Sequence, residues 1–166
     1  MFGLNEYLRN SLVIGFHRDW PLNTHFVVSK RSETGVRGEA KVLVPEADLA
    51  ADWSSVTQSL AYNFEETLYT ISPKTGISRE IEGTRELSAI DPVWSTDGDT
   101  IYFFSQDSDG MSGFWSIPSS GGTAKQIVSF DGMLRGNTRA RVDKNNIYFS
   151  LAEVESDIWV LELTDE

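Results

Sequence analysis

Asp91-Pro92-Val93-Trp94-Ser95-Thr96-Asp97-Gly98-Asp99-Thr100-Ile101-Tyr102-Phe103-Phe104-Ser105 is the stretch on which the fold turns. Its β-branched and aromatic runs read as two strands, and Ser-Thr-Asp-Gly between them reads as a tight turn. The phrase recurs. Asp52-Trp53-Ser54 leads to Leu60-Ala61-Tyr62 as Trp94 leads to Ile101-Tyr102-Phe103, with seven residues from each tryptophan to the first apolar residue of the next run. A third copy has lost its tryptophan: setting Ile147-Tyr148-Phe149 at the same interval puts Ala140 in the tryptophan slot and aligns Asp143 with Asp97. The copies lie 41 residues (Trp53 to Trp94) and 46 residues (Trp94 to Ala140) apart. A period near 40–45 residues suits a four-stranded unit that cannot bury its own faces and must stack on neighbours, as a propeller blade does.

Each copy supplies further strands. Thr67 to Ile71, Gly113 to Ile117 and Asp157 to Leu161 read as third strands, and the turns at Pro73 to Gly76 and Pro118 to Gly122 lead to short fourth strands at Ile77 to Ile81 and Ala124 to Val128. Upstream, Ser11 to Phe16, Thr24 to Lys30 and Ala40 to Val44 read as the second, third and fourth strands of an earlier blade whose first strand is not recognisable. Pro45 to Phe64 also carries a helical stripe of Leu49, Trp53, Val56, Leu60 and Phe64, but the register match to the following copy favours strands. The expectation is an all-β chain, a single partial β-propeller of four-stranded antiparallel blades. About four blades, at roughly 1–46, 47–86, 87–131 and 132–166, would form an incomplete ring.

The Asp91 to Ser105 phrase, continued by Asp107-Ser108-Asp109-Gly110 and by Phe114-Trp115-Ser116-Ile117 with its Gly-Gly turn, closely resembles the TolB-like, or WD40-like, β-propeller repeat. Ser156 to Leu163 is similar to the last blade of bacterial proteins that carry such a propeller at the C-terminus. The resemblance makes Trp53, Trp94, Asp97, Gly98, Trp115 and Trp159 repeat-defining structural residues, with Trp53 and Trp94 packing between blades. It implies a scaffold or sensory module, or else the substrate-binding or gating part of a larger protease, hydrolase, kinase or polysaccharide lyase; the family usually closes its ring with six or more blades. The Ser-x-Asp-Gly turn is intact only at Ser95 to Gly98. It reads Ser54-Ser55-Val56-Thr57 in the earlier copy and has Lys144 for glycine in the last, so the turns are expected to differ in conformation.

The chain has 166 residues, no cysteine and a formal charge of -11, with 14 basic and 25 acidic side chains. The absence of cysteine removes thiol nucleophiles and thiolate metal sites. Residues 1–50 hold six of each charge, so the acidic excess lies wholly in 51–166, which disfavours a nucleic-acid surface there. No stretch suits a membrane span or a signal peptide, so the chain as written carries no address and reads as cytoplasmic, with the envelope or periplasm as the compartment if the natural N-terminus lies upstream. Nucleophile-elbow, phosphate-loop and His-Glu-x-x-His motifs are missing, and no catalytic residue, cofactor or metal is expected. His17 and His25 flank an expected hairpin loop without ligand spacing. Asp107-Ser108-Asp109-Gly110 starts like a calcium loop but lacks the later glutamate. Arg135, Arg139 and Arg141, beside Asp131, read as a solvated loop and turn.

In stacked antiparallel blades the loops between second and third strands share one face with the connections to the next blade. These loops, His17 to Asn23, Asn63 to Glu66, Gln106 to Ser112 and Ala152 to Asp157, carry Asp19, Glu65, Glu66, Asp107, Asp109, Glu153, Glu155 and Asp157 against Arg18 alone. Such a face would favour a basic protein segment or cations over an anionic ligand, although a merely soluble acidic rim is the leading reading of these residues. The expected role is a non-catalytic module for protein–protein interaction. Unclosed blade ends further imply self-association into a larger ring, or missing upstream blades.

Overall fold

Along Leu60 to Asn63 and Phe103 to Ser105 every residue is buried, so successive side chains, which leave a strand on opposite faces, are covered on both sides. Strands of this kind belong to sheets sandwiched between other sheets. The computed structural model describes residues 12–19, 23–30, 41–48, 50–107, 110–134, 140–144 and 146–149. Asp109, Arg135, Arg139, Glu153, Glu155, Asp157 and Trp159 lie outside them, as does the expected strand at Asp157 to Leu161.

The described chain is all-β, with one short 3-10 turn at Arg85–Leu87. A first sheet joins β1 (Leu12–Asp19), β2 (Asn23–Lys30) and β3 (Lys41–Ala47). The second joins β4 (Ala51–Ser54), β5 (Ser59–Phe64), β6 (Thr67–Ile71) and β7 (Ser78–Glu80). The third joins β8 (Ala89–Trp94), β9 (Thr100–Asp107), β10 (Gly110–Pro118) and β11 (Lys125–Leu134). A final hairpin pairs β12 (Ala140–Val142) with β13 (Ile147–Phe149). All pairings are antiparallel and sequential, so each sheet is a meander. No helix among the described residues is long and apolar enough to cross a membrane.

The core lies between sheets. Val44 with Leu60, Tyr62 and Ile71, joined by Leu43, Trp53 and Tyr69, fills the junction between the first and second sheets. Ala61, Leu68 and Ile81 meet Ala89, Trp94, Ile101, Phe103 and Ile117 between the second and third, with Trp115 packed alongside. Val93, Phe104, Phe114 and Phe130 meet Ala140, Val142, Ile147 and Phe149 between the third sheet and the last hairpin. Strand periodicity divides the work: Leu60 and Tyr62 serve one junction and Ala61 the next, as Ile101 and Phe103 serve one and Tyr102 and Phe104 the next. Hydrophobic burial therefore joins each meander to its neighbours.

Two contacts fix how the second and third sheets meet. Gly98 has φ +79, and a Cβ there would stand 2.8 Å from Thr57 Cγ2, so the β8–β9 turn nests against the β4–β5 turn. Gly122 N–H donates to Glu82 O at 3.0 Å, and a Cβ on Gly83 would collide with the Gly122 carbonyl.

The structure corrects several expected boundaries. Ala51 to Phe64 holds two strands and not a helix, as the register match favoured, and Trp53 is registered opposite Leu60. Strands β1 and β9 run on to Asp19 and Asp107 and resume at Asn23 and Gly110, so the loops expected at His17 to Asn23 and Gln106 to Ser112 are much shorter. Backbone ladders continue through polar residues that side-chain patterning treats as loop. The fourth strand expected at Ala124 to Val128 is the ten-residue β11, which includes Asp131; Arg141 lies in β12 and not in a loop. Ile147 is registered opposite Val142, whereas Leu60 and Ile101 face Trp53 and Trp94, so Val142 and not Ala140 occupies the tryptophan position. The seven-residue interval failed there because the last turn is two residues shorter, closed by Asp143 N–H to Asn146 O at 3.0 Å. The turns differ as expected: positive φ falls on Gly98 in one and on Gln58 in the other.

Candidate functional site

Phe64 and Thr67 are register partners, which leaves Glu65 and Glu66 as a two-residue hairpin loop at the tip of β5 and β6. Both have positive φ, 46° and 58°, as a type I′ turn requires. That conformation suits an Asn-Gly dipeptide and costs an L-residue with a Cβ about 1–2 kcal/mol. Replacing the two glutamates with asparagine followed by glycine (E65N/E66G) is therefore expected to stabilise the chain by about 1 kcal/mol, raising Tm by a few degrees. The charge-only control E65Q/E66Q separates conformation from repulsion, and a thermal melt in which the control gains as much as E65N/E66G would show that the backbone is not strained.

Beneath this tip, Asp48 stands in the connection from the first sheet to the second. Its N–H donates to Asn63 O at 3.0 Å, and Asn63 Nδ2 donates to Asp48 Oδ2 at 2.8 Å. Asn63 is 3% exposed, so its amide is a buried support for the carboxylate, although its Oδ1 lacks a partner among the described residues. Burial pushes the Asp48 carboxyl above the ordinary range; the Asn63 hydrogen bond opposes this, and the negative charges of Glu66 and Glu65 add to it. Asp48, Glu65 and Glu66 thus form one field of negative charge.

Asp19 and Asp107 are the last residues of β1 and β9, opposite Asn23 and Gly110, each at the mouth of its hairpin. By strand order these hairpins correspond to the Glu65–Glu66 tip. His17 and His25 are strand partners and not loop residues. Among the described residues no group of three or more His, Asp or Glu side chains has the geometry of a metal site. Arg85 donates to Glu80 at 2.9 Å on the surface, a pair of little energetic weight.

The sequence reading missed Asp48 and Asp52. Asp48 lies in a connection that the same strand-order argument assigns to the acidic face, so the signal was present. Asp52 Oδ2 accepts the Trp94 N–H at 2.8 Å, across 42 residues of sequence. Burial raises its carboxyl pKa, while the Trp94 and Trp53 amides and the Arg141 charge pull it down. Asp97 does local work instead: its Oδ1 accepts from Ser95 Oγ at 2.6 Å and Asp99 N–H at 3.0 Å, which holds its pKa below the usual range. Trp94 is buried and Trp115 half-buried, each with its indole N–H enclosed and unpartnered among the described residues; Trp53 is half-buried. These three side chains pack at the sheet junctions.

No family model and no curated protein sequence matches the chain. Among solved structures, it is similar to a protein assigned as TolB from Agrobacterium tumefaciens, with a TM-score of 0.62 at 14% identity over 86% of this chain. It is also similar to TolB from Acinetobacter baumannii, with a TM-score of 0.57 at 18% identity over 79% of this chain. The chain has the fold of TolB-like β-propellers. It spans 51% of the first of those chains and 33% of the second.

Proposed function

We propose that this chain is a non-catalytic β-propeller module that holds a basic segment of a protein partner against its acidic hairpin face. The observation that carries the reading is the convergence of Asp48, Glu65 and Glu66 on one hairpin tip, braced from below by the buried Asn63 amide. A carboxylate destabilised by burial and by like charge gains when a cation approaches, because the cation relieves the repulsion that the fold has imposed. Asp19 and Asp107 occupy the ends of β1 and β9, the corresponding positions in strand order. A net charge of -11 would steer a basic segment toward the domain from a distance.

A Lys/Arg-rich peptide carrying a fluorophore serves as the probe, read by anisotropy. Its affinity is expected to fall about tenfold or more from low to high salt, and by a comparable factor in D48N/E65Q/E66Q at low salt. Binding that ignores both salt and the triple substitution would reject this face as the site, as would the absence of binding at low salt.

A further inference from the structure

Among the described residues, the buried side-chain polar atoms without a partner are Asn63 Oδ1 and the indole nitrogens of Trp94 and Trp115. The two indoles belong to the apolar junction between the second and third sheets. The Asn63 amide instead touches a titratable group, because its Nδ2 donates to Asp48 Oδ2 at 2.8 Å while the Asp48 N–H donates to Asn63 O at 3.0 Å. Asn63 is 3% exposed, so water does not solvate the oxygen left over, and a buried acceptor without a donor is costly.

An ionised carboxylate only accepts hydrogen bonds, so it can answer Asn63 Nδ2 but not Asn63 Oδ1. A carboxylic acid adds one O–H donor. Acid and primary amide are then complementary twice over: the amide N–H bonds one acid oxygen, and the acid O–H bonds the amide oxygen. A proton on Asp48 would supply the donor that Asn63 lacks.

The surroundings of Asp48 favour that proton. Burial and the charges of Glu66 and Glu65 disfavour the ionised form, against the bonds from Asn63 Nδ2 and the Glu65 N–H. Strands β4, β5 and β6 carry no Lys, Arg or His, and the acid of β4, Asp52, is committed to the Trp94 N–H. Lys41 of β3 is registered with Val28, at the far end of that strand from Ala47. Arg18, Asp19, His25 and Glu46 neighbour the near end of the first sheet in register or in sequence, so the test must follow Asp48 itself.

We propose that Asp48 and Asn63 form a proton latch beneath the hairpin tip: on protonation the Asp48 O–H donates to Asn63 Oδ1, completing a two-bond acid–amide pair, and the face loses a charge that holds a basic segment. The control of binding rests on the tip being the partner's site as proposed above; the acid–amide pairing does not. The proton comes from solvent and returns to it. Proton and cationic side chain compete for one carboxylate, so each weakens the other by the same factor.

Carbon-detected NMR on the labelled chain, titrated with acid, reads the Asp48 carboxyl and the Asn63 side-chain carbonyl separately. Both are expected to move with one midpoint, above the 3.8 of an ordinary aspartate, with the Asn63 carbon shifting downfield in acid as its oxygen gains a donor. D48N supplies a permanent N–H donor in place of the acid O–H, and should hold the Asn63 carbon at its acid position at every pH. A saturating Lys/Arg-rich peptide at low salt should move the wild-type midpoint about one pH unit lower, which equals a tenfold loss of peptide affinity on protonation. An Asn63 carbon that stands still while Asp48 titrates, or that still titrates in D48N, overturns the latch whether or not the peptide binds. A peptide that binds without moving the midpoint overturns the control of binding. If no peptide binds, the partner reading fails and the control of binding with it, while the coupled titration alone decides the pairing.

Discussion

Phe104→Ala is expected to lower folding stability by about 3–5 kcal/mol, the largest loss of any single substitution considered. Phe104 is fully buried at the third junction, with its ring centroid 4.8 Å from Phe114, 6.1 Å from Phe130 and 6.2 Å from Phe149. Those partners come from β10, β11 and β13, so one ring ties two outer strands of the third sheet to the hairpin that follows. Truncation removes the transfer energy of the ring and leaves a cavity walled by aromatic groups too large to collapse into it. Since whole domains are held by only about 5–15 kcal/mol, the variant should melt at much lower denaturant concentration. Ile127→Ala, at a residue 44% exposed on β11, is the control and should cost far less. A Phe104→Ala loss below about 1 kcal/mol in urea melts would mean that the last hairpin does not dock as described.

What the sequence disclosed, and what it withheld, follows from which interactions are local. The tryptophan phrases and their apolar runs located β4, β5, β8 and β9 because alternation and turn chemistry act within a few residues. The interval rule misplaced the tryptophan slot of the last copy, since the turn closed by Asp143 N–H and Asn146 O is shorter than Ser55 to Gln58 or Thr96 to Asp99. Strand ends at Asp107 and Leu134 were hidden because ladder pairing is indifferent to side-chain polarity. On the acidic face, Glu65 and Glu66 were legible from strand order. The Asn63 amide beneath Asp48 was not, because it joins two sheets and only the folded chain brings them together. Asp52 was hidden for the same reason.

Asp52→Ala and Asp52→Asn should part company, and the difference should depend on pH. Ser95 N–H donates to Thr100 O at 2.9 Å, so the adjacent Trp94–Ile101 pair is of the non-hydrogen-bonded kind and the Trp94 N–H points away from β9. β8 is an edge strand of its sheet, and among the described residues no further strand receives that amide. The Asp52 carboxylate of the preceding sheet takes it, and so closes a strand edge and joins two sheets with one bond. Alanine would strip the acceptor from a buried N–H and is expected to cost about 1–3 kcal/mol. Asparagine keeps an oxygen acceptor and removes the charge. Because burial raises the folded-state pKa of Asp52 above its unfolded value of 3.8, the wild-type group favours folding most when both states are protonated, and that contribution is lost as pH rises through the folded pKa. Asp52→Asn carries no such loss, so its stability relative to wild type should be lowest in acid and improve toward neutral pH. Subtracting one melt series from the other cancels the titrations of Asp48 and Asp97, which both chains share. A wild-type-minus-Asn difference that is flat from acid to neutral pH would show that Asp52 is not desolvated in the folded chain, and an Asp52→Ala variant as stable as Asp52→Asn would show that the Trp94 amide does not depend on it.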